Sequence, residues 1–330
     1  MWWRGVSPCG RAPPCGGWLA ARALAALRGL ALLPGARPPC GGSPCAHNPI
    51  KNMPGGATSE FEALSATIDW CEPNFRHLAW VAEPWNVLSM VPHVALAWRE
   101  LALAFAASAA RRPPPPSGGA PPRPPRAEQH VVVAAYRLAG FGLSLWVALG
   151  SVMFHATLAR FWQRQDELPM IFLGMWASVV VRRMWRWVHQ RRRRASPPAS
   201  AALRTDGRTL LVLCALGAVA YEALPGHSAF AALFAALVVG ALGALWWLVV
   251  VARPDLRAAA PLATQQLRRG AAALAVAFGA WLVDRACQFP QVPLHAGWHV
   301  GVAIAQHQLL SGTCGYLEAA SRRPTYVRGA

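Results

Sequence analysis

The sequence predicts an all-α membrane protein with seven transmembrane helices, its N-terminus lumenal and its C-terminus cytosolic. Composition is the first observation: of 330 residues, 55% are hydrophobic and only 14% are charged, whereas charged residues make up about a quarter of a typical soluble chain. The second is a series of apolar runs, several close to the roughly 20 residues that a helix needs to cross a bilayer. The third is that the arginines gather in alternate connections between these runs.

The first 59 residues do not fit this pattern. They contain no Asp or Glu, are rich in Arg, Pro and Gly, and hold four of the eight cysteines. This composition is typical of a targeting segment or of an upstream extension of the reading frame, for which Met53 is a plausible start. We predict a disordered leader over residues 1–59, a helical membrane domain over 60–320 and a short basic cytosolic tail over 321–330.

Seven apolar segments make up the predicted membrane domain. The first is interrupted by Arg99 and Glu100, and the fourth is short and ends near Glu222 and Pro225. The first connection is rich in proline and reads as a disordered linker. The seven segments cover residues 81–107, 131–154, 168–185, 209–224, 228–252, 271–287 and 296–317.

The connections set the predicted orientation. The first, third and fifth connections and the tail are rich in arginine, as in the run from Arg191 to Arg194, whereas the opposite connections carry Arg160, Arg164 and Arg285. Basic residues concentrate on the cytosolic side of membrane proteins, so the N-terminal segment of the domain is predicted to lie outside. Membrane topology therefore explains the net charge of +18, and no nucleic-acid partner is expected.

Three histidines are predicted to meet at the outer ends of the segments. The motif HAGWH places His295 and His299 at positions i and i+4, on one face of the seventh segment. His155 ends the second segment at the same predicted depth. Three neutral imidazoles with an open position describe a catalytic zinc site, which acidifies bound water to a pKa of about 7. The other histidines of the domain, His227 among them, are predicted to be loop or packing residues.

Further polar residues lie beside this predicted zinc site. Asp166, at the mouth of the third segment, is the predicted general base, with a helix N-terminal carboxylate as the alternative. Glu167 fits that alternative better. Ser151 is predicted either to donate a hydrogen bond to an oxyanion or bound water, or to cap its helix. Asp284 either orients a ligand histidine or pairs with Arg285.

An acidic segment, DWCEPNFRHLAWVAE, precedes the first apolar segment. Its side chains offer several hard oxygen ligands within fifteen residues, as calcium prefers. The spacing differs from that of an EF-hand loop, so a calcium site and a solvated acidic turn both stay open at this point. The oxygen ligands would come from Asp69, Glu72, Asn74 and Glu83.

The motifs DWCEPN, AEPWN, GSVMFHATL, DELPM, VDRAC and HAGWH, in this order across residues 67–310, resemble the alkaline ceramidase family. The resemblance implies hydrolysis of the amide bond of ceramide to sphingosine and a free fatty acid, in the membrane of the endoplasmic reticulum or Golgi. Ceramide would reach the site from the lipid bilayer. The implied zinc ligands are His155, His295 and His299, and the implied catalytic pair is Ser151 and Asp166.

The resemblance also implies features of the lumenal segment. One is a disulfide between Cys71 and Cys287, which suits the oxidising side of the membrane. The other is a structural or regulatory calcium site. Its implied ligands are Asp69, Trp70 through its backbone carbonyl, Glu72, Asn74 and Glu83.

Two other functions are compatible with a Ser, Asp and three-His core. One is a related seven-helix lipid hydrolase or lipid-binding receptor of the progestin and adiponectin type. Such receptors usually place their N-terminus in the cytosol, whereas the arginine distribution here predicts the reverse, and the DWCE segment favours a ceramidase. The other is a sphingolipid-binding membrane protein without catalysis, against which the intact candidate ligands argue.

Overall fold

Helices make up almost all of the chain that the structure describes, after a short non-helical segment that precedes the first of them. In this computed structural model the described residues are 66–110, 125–190, 199–223, 227–287, 289 and 292–322. They belong to one compact unit, Pro44–Ala330. The predicted leader, the Pro-rich linker and all but the first two residues of the predicted tail lie outside the described residues.

Seven helices within the described ranges have 20 to 33 residues. At a rise of about 1.5 Å per residue, even a 20-residue helix spans roughly 30 Å, the thickness of a hydrocarbon core. A π-helical turn, Trp247–Ala252, continues α6. The helices are α1 Pro84–Ser89, α2 Val91–Ala110, α3 Pro125–Thr157, α4 Arg160–Gln190, α5 Ala199–Ala223, α6 His227–Trp246, α7 Pro254–Ala259, α8 Pro261–Arg285 and α9 Leu294–Arg322.

Three stretches of the described chain are long and apolar enough to cross a membrane by length and composition. They are Pro84–Ala107, His130–Thr157 and Ala229–Ala252. A helical chain with several such stretches is typical of a multi-pass membrane protein. Each of the seven predicted segments falls largely within one of the long helices, but the number of spans and their orientation stay predictions.

The first predicted segment is not one continuous helix. It is divided at Met90 into the short α1 and the longer α2. Pro92 explains the break, because proline has no backbone N–H to donate to the preceding turn and disfavours helical geometry at the residue before it. The division matters for the site, since Asn86 and Ser89 of α1 are buried.

The third predicted segment begins too late. Helix α4 starts at Arg160, so Asp166 and Glu167 lie within the helix rather than at its mouth. Only two residues separate α4 from α3, and one of them, Leu158, has a φ of 50° that turns the chain sharply. The polar first turns of α4 lower the local hydropathy, which is why apolar periodicity alone does not predict them.

Helix α4 also carries three arginines from the end of the third predicted segment and the start of the connection after it, Arg182, Arg183 and Arg186. Arg183 is buried and donates its Nε–H to the buried Asp206 of α5 at 2.5 Å. Arg182 and Arg186 approach the same carboxylate at 3.3 and 3.7 Å, and Tyr136 of α3 donates its hydroxyl to it. Burial of these charges is tolerated because they are paired, and the cluster joins three helices.

Candidate metal centre

Three buried histidines from two distant parts of the chain come together. His155 lies in the last turn of α3, and His295 and His299 lie at the start of α9. One ligand atom from each lies within 4.8 Å of the others. The ring centroids are 4.5 to 5.2 Å apart. The i and i+4 spacing of the HAGWH motif puts two of the rings on one face of α9, as its spacing predicts.

The Nδ1–H of His155 donates to the carboxylate of Glu83. Glu83 is fully buried and is held in turn by the side-chain amide of Asn86, at 3.1 Å, and by the backbone N–H of Trp70, at 3.3 Å. A proton fixed on Nδ1 leaves Nε2 as a lone-pair donor, and this buried Nε2 has no hydrogen-bond partner in the described chain. Such a carboxylate–histidine arrangement is typical of a metal ligand.

His299 of α9 also has oxygen partners at Nδ1. The Nδ1 of His299 lies 2.8 Å from Ser89 Oγ and 3.3 Å from the carbonyl oxygen of Asn86. Because the Ser89 hydroxyl donates to that carbonyl at 2.6 Å, its oxygen accepts from His299. The Nδ1 of His295 lies 3.6 Å from an Asp284 carboxylate oxygen, beyond hydrogen-bond distance, so the orienting role of Asp284 stays a prediction. Three buried imidazoles that converge in this way fit a metal ion.

Ser151 and Asp166, the predicted catalytic pair, line the same cavity as His295 and His299. Ser151 is buried in α3, and Asp166 is half-buried in α4. Their side chains interact with each other. A serine that faces a carboxylate inside the helix bundle is not a helix cap, so the capping alternative for Ser151 is wrong.

A glycine sets the spacing between the two helices that carry these groups. A Cβ built on Gly150 of α3 would collide with the backbone carbonyl of Gln165 and lie 2.8 Å from the backbone nitrogen of Asp166. Only a residue without a side chain permits this approach. Gly150 therefore brings Asp166 to the helix that carries Ser151 and His155.

The cavity beside the histidines has a volume of about 310 Å³ and mostly apolar walls. Helices α4, α6, α8 and α9 contribute most of these walls. A second, smaller cavity of about 90 Å³ shares wall residues with it, among them Met170, Phe234 and Leu274. Apolar walls with a few convergent polar groups suit a ligand with long hydrocarbon chains and one reactive polar group.

Trp70 and Glu83, two of the predicted calcium ligands, contact the histidine cluster. The ring of Trp70 stacks on His295 with centroids 3.7 Å apart and an angle of 22° between the planes. Glu83 binds His155, as described above. Sequence reasoning missed both contacts, because Trp70 is 225 residues from His295 and Glu83 is 72 residues from His155 in the chain.

The other predicted calcium ligands lie close to them in the same segment. Both Asp69 carboxylate oxygens accept from the Asn74 amide at 3.1 Å, and burial raises the pKa of Asp69 to about 6. Glu72 accepts from the backbone N–H groups of Trp85 and Asn86 at the start of α1, at 2.7 and 3.0 Å, and burial raises its pKa. These contacts neither require nor exclude a cation, and the calcium site stays a prediction.

A disulfide joins Cys71 to Cys287, with the Cα atoms 5.5 Å apart. The pairing implied by the family resemblance is therefore confirmed. Cys287 follows Asp284 by one turn at the end of α8, so the bridge anchors the segment of Trp70 next to Asp284. Sequence separation across the bridge is 216 residues.

His227 and Glu167 also belong to the site, which contradicts their predicted roles as a packing histidine and a helix N-terminal carboxylate. Glu167 accepts from His227 Nδ1 at 2.8 Å, from the Tyr221 hydroxyl at 2.5 Å and from the Gln163 amide at 2.9 Å. Both His227 and Glu167 line the cavity. Glu167, Tyr221 and His227 lie near the predicted outer ends of the third, fourth and fifth segments. In the sequence, only this shared position points to the network.

Fold and site together define a helical multi-pass membrane protein with a buried three-histidine centre, able to hold a metal ion, beside an apolar cavity. The comparison with protein families is more specific. The family model described as Ceramidase matches residues 62–326. The chain belongs to the ceramidase family.

One curated relative is an alkaline ceramidase of Arabidopsis thaliana. The chain is 28% identical to it over 120 residues, which are 36% of this chain and 38% of that protein. The chain thus matches well under half the length of this relative, and the histidine cluster has to be argued from its own geometry.

Proposed function

We propose that the protein is a zinc-dependent amidohydrolase that cleaves the amide bond of ceramide to sphingosine and a free fatty acid within the membrane. The observation that carries the proposal is the cluster of His155, His295 and His299 beside Ser151 and Asp166, at the wall of an apolar cavity, in a chain of the ceramidase family. Ceramide matches this site chemically, because one amide lies between two long hydrocarbon chains.

Three neutral imidazoles are a ligand set that suits zinc. Zinc bound there supplies a Lewis acid that polarises the amide carbonyl and acidifies water. The oxygen partners of the Nδ1 atoms hold the rings of His155 and His299 in one tautomer with Nε2 free to bind the ion, and Trp70 stacks on the ring of His295. The protein therefore contributes a preformed ligand set rather than one that assembles when the ion arrives.

Asp166 acts as the general base and then as the general acid. Its carboxylate accepts a proton from the attacking water and delivers it to the amide nitrogen, so that sphingosine leaves as a neutral amine. The hydroxyl of Ser151 donates a hydrogen bond to the oxygen that becomes negative as the carbonyl is attacked. The apolar walls hold both hydrocarbon chains and keep other water away from the reaction.

The protein spans the membrane of the endoplasmic reticulum or Golgi seven times, with the histidine cluster near the lumenal side and the C-terminus in the cytosol. The Cys71–Cys287 disulfide supports this placement, since disulfides persist in oxidising compartments. The proposed membrane domain is residues 60–320, between a leader over 1–59 and a basic tail over 321–330. We propose that calcium binds the lumenal segment through Asp69, the Trp70 carbonyl, Glu72, Asn74 and Glu83, all close to His155 and His295.

Substitution of Asp166 by Asn tests this assignment. We expect the purified Asp166→Asn protein to retain zinc but to release sphingosine from ceramide at least about 100-fold more slowly, because an amide cannot accept the proton. The matched control is Glu222→Gln, which neutralises an exposed carboxylate paired with Arg164. If Asp166→Asn hydrolysed ceramide at the rate of the unaltered protein, Asp166 would not be the base.

A further inference from the structure

A histidine outside the metal cluster presents an unused nitrogen next to the cavity. His227 is the first residue of α6, and its side chain is 10% exposed. It lines the cavity, yet its Nε2 is buried and has no hydrogen-bond partner within the described chain. A buried polar atom without a partner lowers stability, so a ligand that forms a hydrogen bond with this Nε2 would be bound more tightly.

The tautomer of His227 is set by Glu167. The Nδ1–H donates to Glu167 Oε1 at 2.8 Å. Glu167 is itself held by Tyr221 and Gln163, so its position is fixed by three donors. With the proton on Nδ1, the neutral ring offers Nε2 as an acceptor only. The missing partner of His227 is therefore a hydrogen-bond donor.

Aromatic rings enclose His227 and connect it to the metal centre. Its ring centroid lies 5.7 Å from that of Trp70, 6.3 Å from Trp281 and 5.4 Å from Phe230. Trp70 stacks in turn on His295, at 3.7 Å. Nε2 of His227 accepts a hydrogen bond from none of these rings. Trp70 lies between His227 and His295, so His227 is one aromatic ring away from the proposed reaction centre.

We propose that Nε2 of His227 accepts a hydrogen bond from a hydroxyl group of the substrate, on a carbon next to the one that bears the amide nitrogen. The inference rests on the proposed function, in which the amide lies at the three-histidine centre. Ceramide has two such hydroxyls, one on each neighbouring carbon. His227 then selects N-acyl amino alcohols over N-acyl alkylamines. A substrate that has no hydroxyl beside its nitrogen-bearing carbon leaves the buried Nε2 without a hydrogen bond.

The test compares the binding of ceramide with that of two analogues, each lacking one of these hydroxyls. Binding is measured by calorimetry in detergent, with every protein in the Asp166→Asn background so that no substrate is consumed. We expect the His227-containing protein to bind one analogue about 10-fold or more weakly than ceramide, as expected for one buried hydrogen bond. His227→Phe should bind ceramide and that analogue with equal affinity.

Two further variants keep the test decisive. His227→Gln can donate its amide N–H to Glu167 and offer its carbonyl oxygen to the hydroxyl, so it should recover part of the preference even if His227→Phe does not fold. His77→Phe, at an exposed histidine, is the matched control and should keep the full preference. Undiminished binding of the deoxy analogue by His227→Phe shows that its cavity is intact.

The inference is overturned if neither hydroxyl affects binding to the His227-containing protein, or if His227→Phe and His227→Gln keep its full preference. Its failure is distinguishable from that of the proposed function. A protein that binds ceramide with this preference but releases no sphingosine in the unaltered chain contradicts only the proposed hydrolysis. A protein that hydrolyses ceramide and both analogues equally contradicts only the role of His227.

Discussion

Glu83 shows how a single side chain determines what a histidine can do. Its carboxylate is fully buried and accepts a hydrogen bond from His155 Nδ1, so the ring turns its other nitrogen inward. The carboxylate also raises the basicity of that nitrogen, as an anion bound at the far side of an imidazole does. The proposed metal site therefore accounts for a buried carboxylate at this position.

Neutralising Glu83 should weaken the metal centre without removing a zinc ligand. We expect Glu83→Gln to lower zinc affinity about 10- to 100-fold, because a neutral amide orients and polarises His155 less strongly. Zinc affinity is measured by competition with a chromogenic chelator. Glu222→Gln, at an exposed ion pair, should bind zinc as the unaltered protein does. Equal affinities in both variants would show that Glu83 does not support the metal.

The histidine cluster is predictable from residue patterns, whereas most of its partners are not. The HAGWH motif gives two ligands by its spacing. His155 is the third, because it lies at the same predicted depth in the membrane. Ser89, however, meets His299 across 210 residues of sequence, and no local pattern records such a contact. Glu83 was predicted to bind calcium because its carboxylate lies in an acidic segment, and its contact with His155 depends on how that segment folds back over α3.

At the scale of helices, the crossing of α3 and α4 decides whether base and ligand meet. Gly150 lets the two backbones approach at the level of Gln165 and Asp166. The two-residue connection between the helices keeps them adjacent and antiparallel. The distance between Asp166 and the histidines is therefore set by backbone packing rather than by flexible side chains.

Adding one methyl group at this crossing should separate the helices. We expect Gly150→Ala to lower stability by about 1–3 kcal/mol, since the Cβ meets backbone atoms that cannot move aside. Ceramidase activity should fall about 10-fold or more, because Asp166 shifts away from the centre. Thermal unfolding and sphingosine release are the measurements.

Gly142→Ala is the matched control for that substitution, since a Cβ at Gly142 of the same helix meets nothing within 4 Å. It should be neutral or stabilising by up to about 1 kcal/mol. The packing argument fails if the two alanine variants behave alike.

Helix boundaries could be predicted only where they coincide with changes in hydropathy. Helices α4 and α5 extend by a further two turns or more beyond the apolar segments, into polar stretches. Asp206 is an example: its buried carboxylate is stabilised by Arg183, although residue 206 lies in a predicted connection. Tertiary pairing of charges, which a single sequence does not reveal, decided these boundaries.

At the scale of the whole molecule, a disulfide joins the segment before α1 to the residues just after α8. The disulfide between Cys71 and Cys287 holds Trp70 next to His295, and backbone hydrogen bonds from Ala82 and Glu83 to the end of α3 hold Glu83 next to His155. One covalent bond thus holds the segment that covers the metal centre. The family resemblance predicted this pairing, whereas cysteine spacing alone leaves it open.

Breaking the bridge should loosen the site as well as the fold. We expect Cys71→Ser to lose about 2–5 kcal/mol of stability and to lose zinc more readily on dialysis. Thermal unfolding and metal content are the measurements. Cys214→Ser, at a free half-buried cysteine, should change neither. A Cys71→Ser protein with unaltered zinc retention would show that the segment holds its place without the bridge.

The most direct test of the account is sphingosine release by the purified chain. Ceramides of several acyl lengths are incubated with the protein in detergent or lipid, with and without calcium, and in parallel after removal of zinc by a chelator. The account predicts release of equal amounts of sphingosine and fatty acid, lost on chelation and restored by zinc. No release from any ceramide under any of these conditions, by protein that binds zinc, would contradict it.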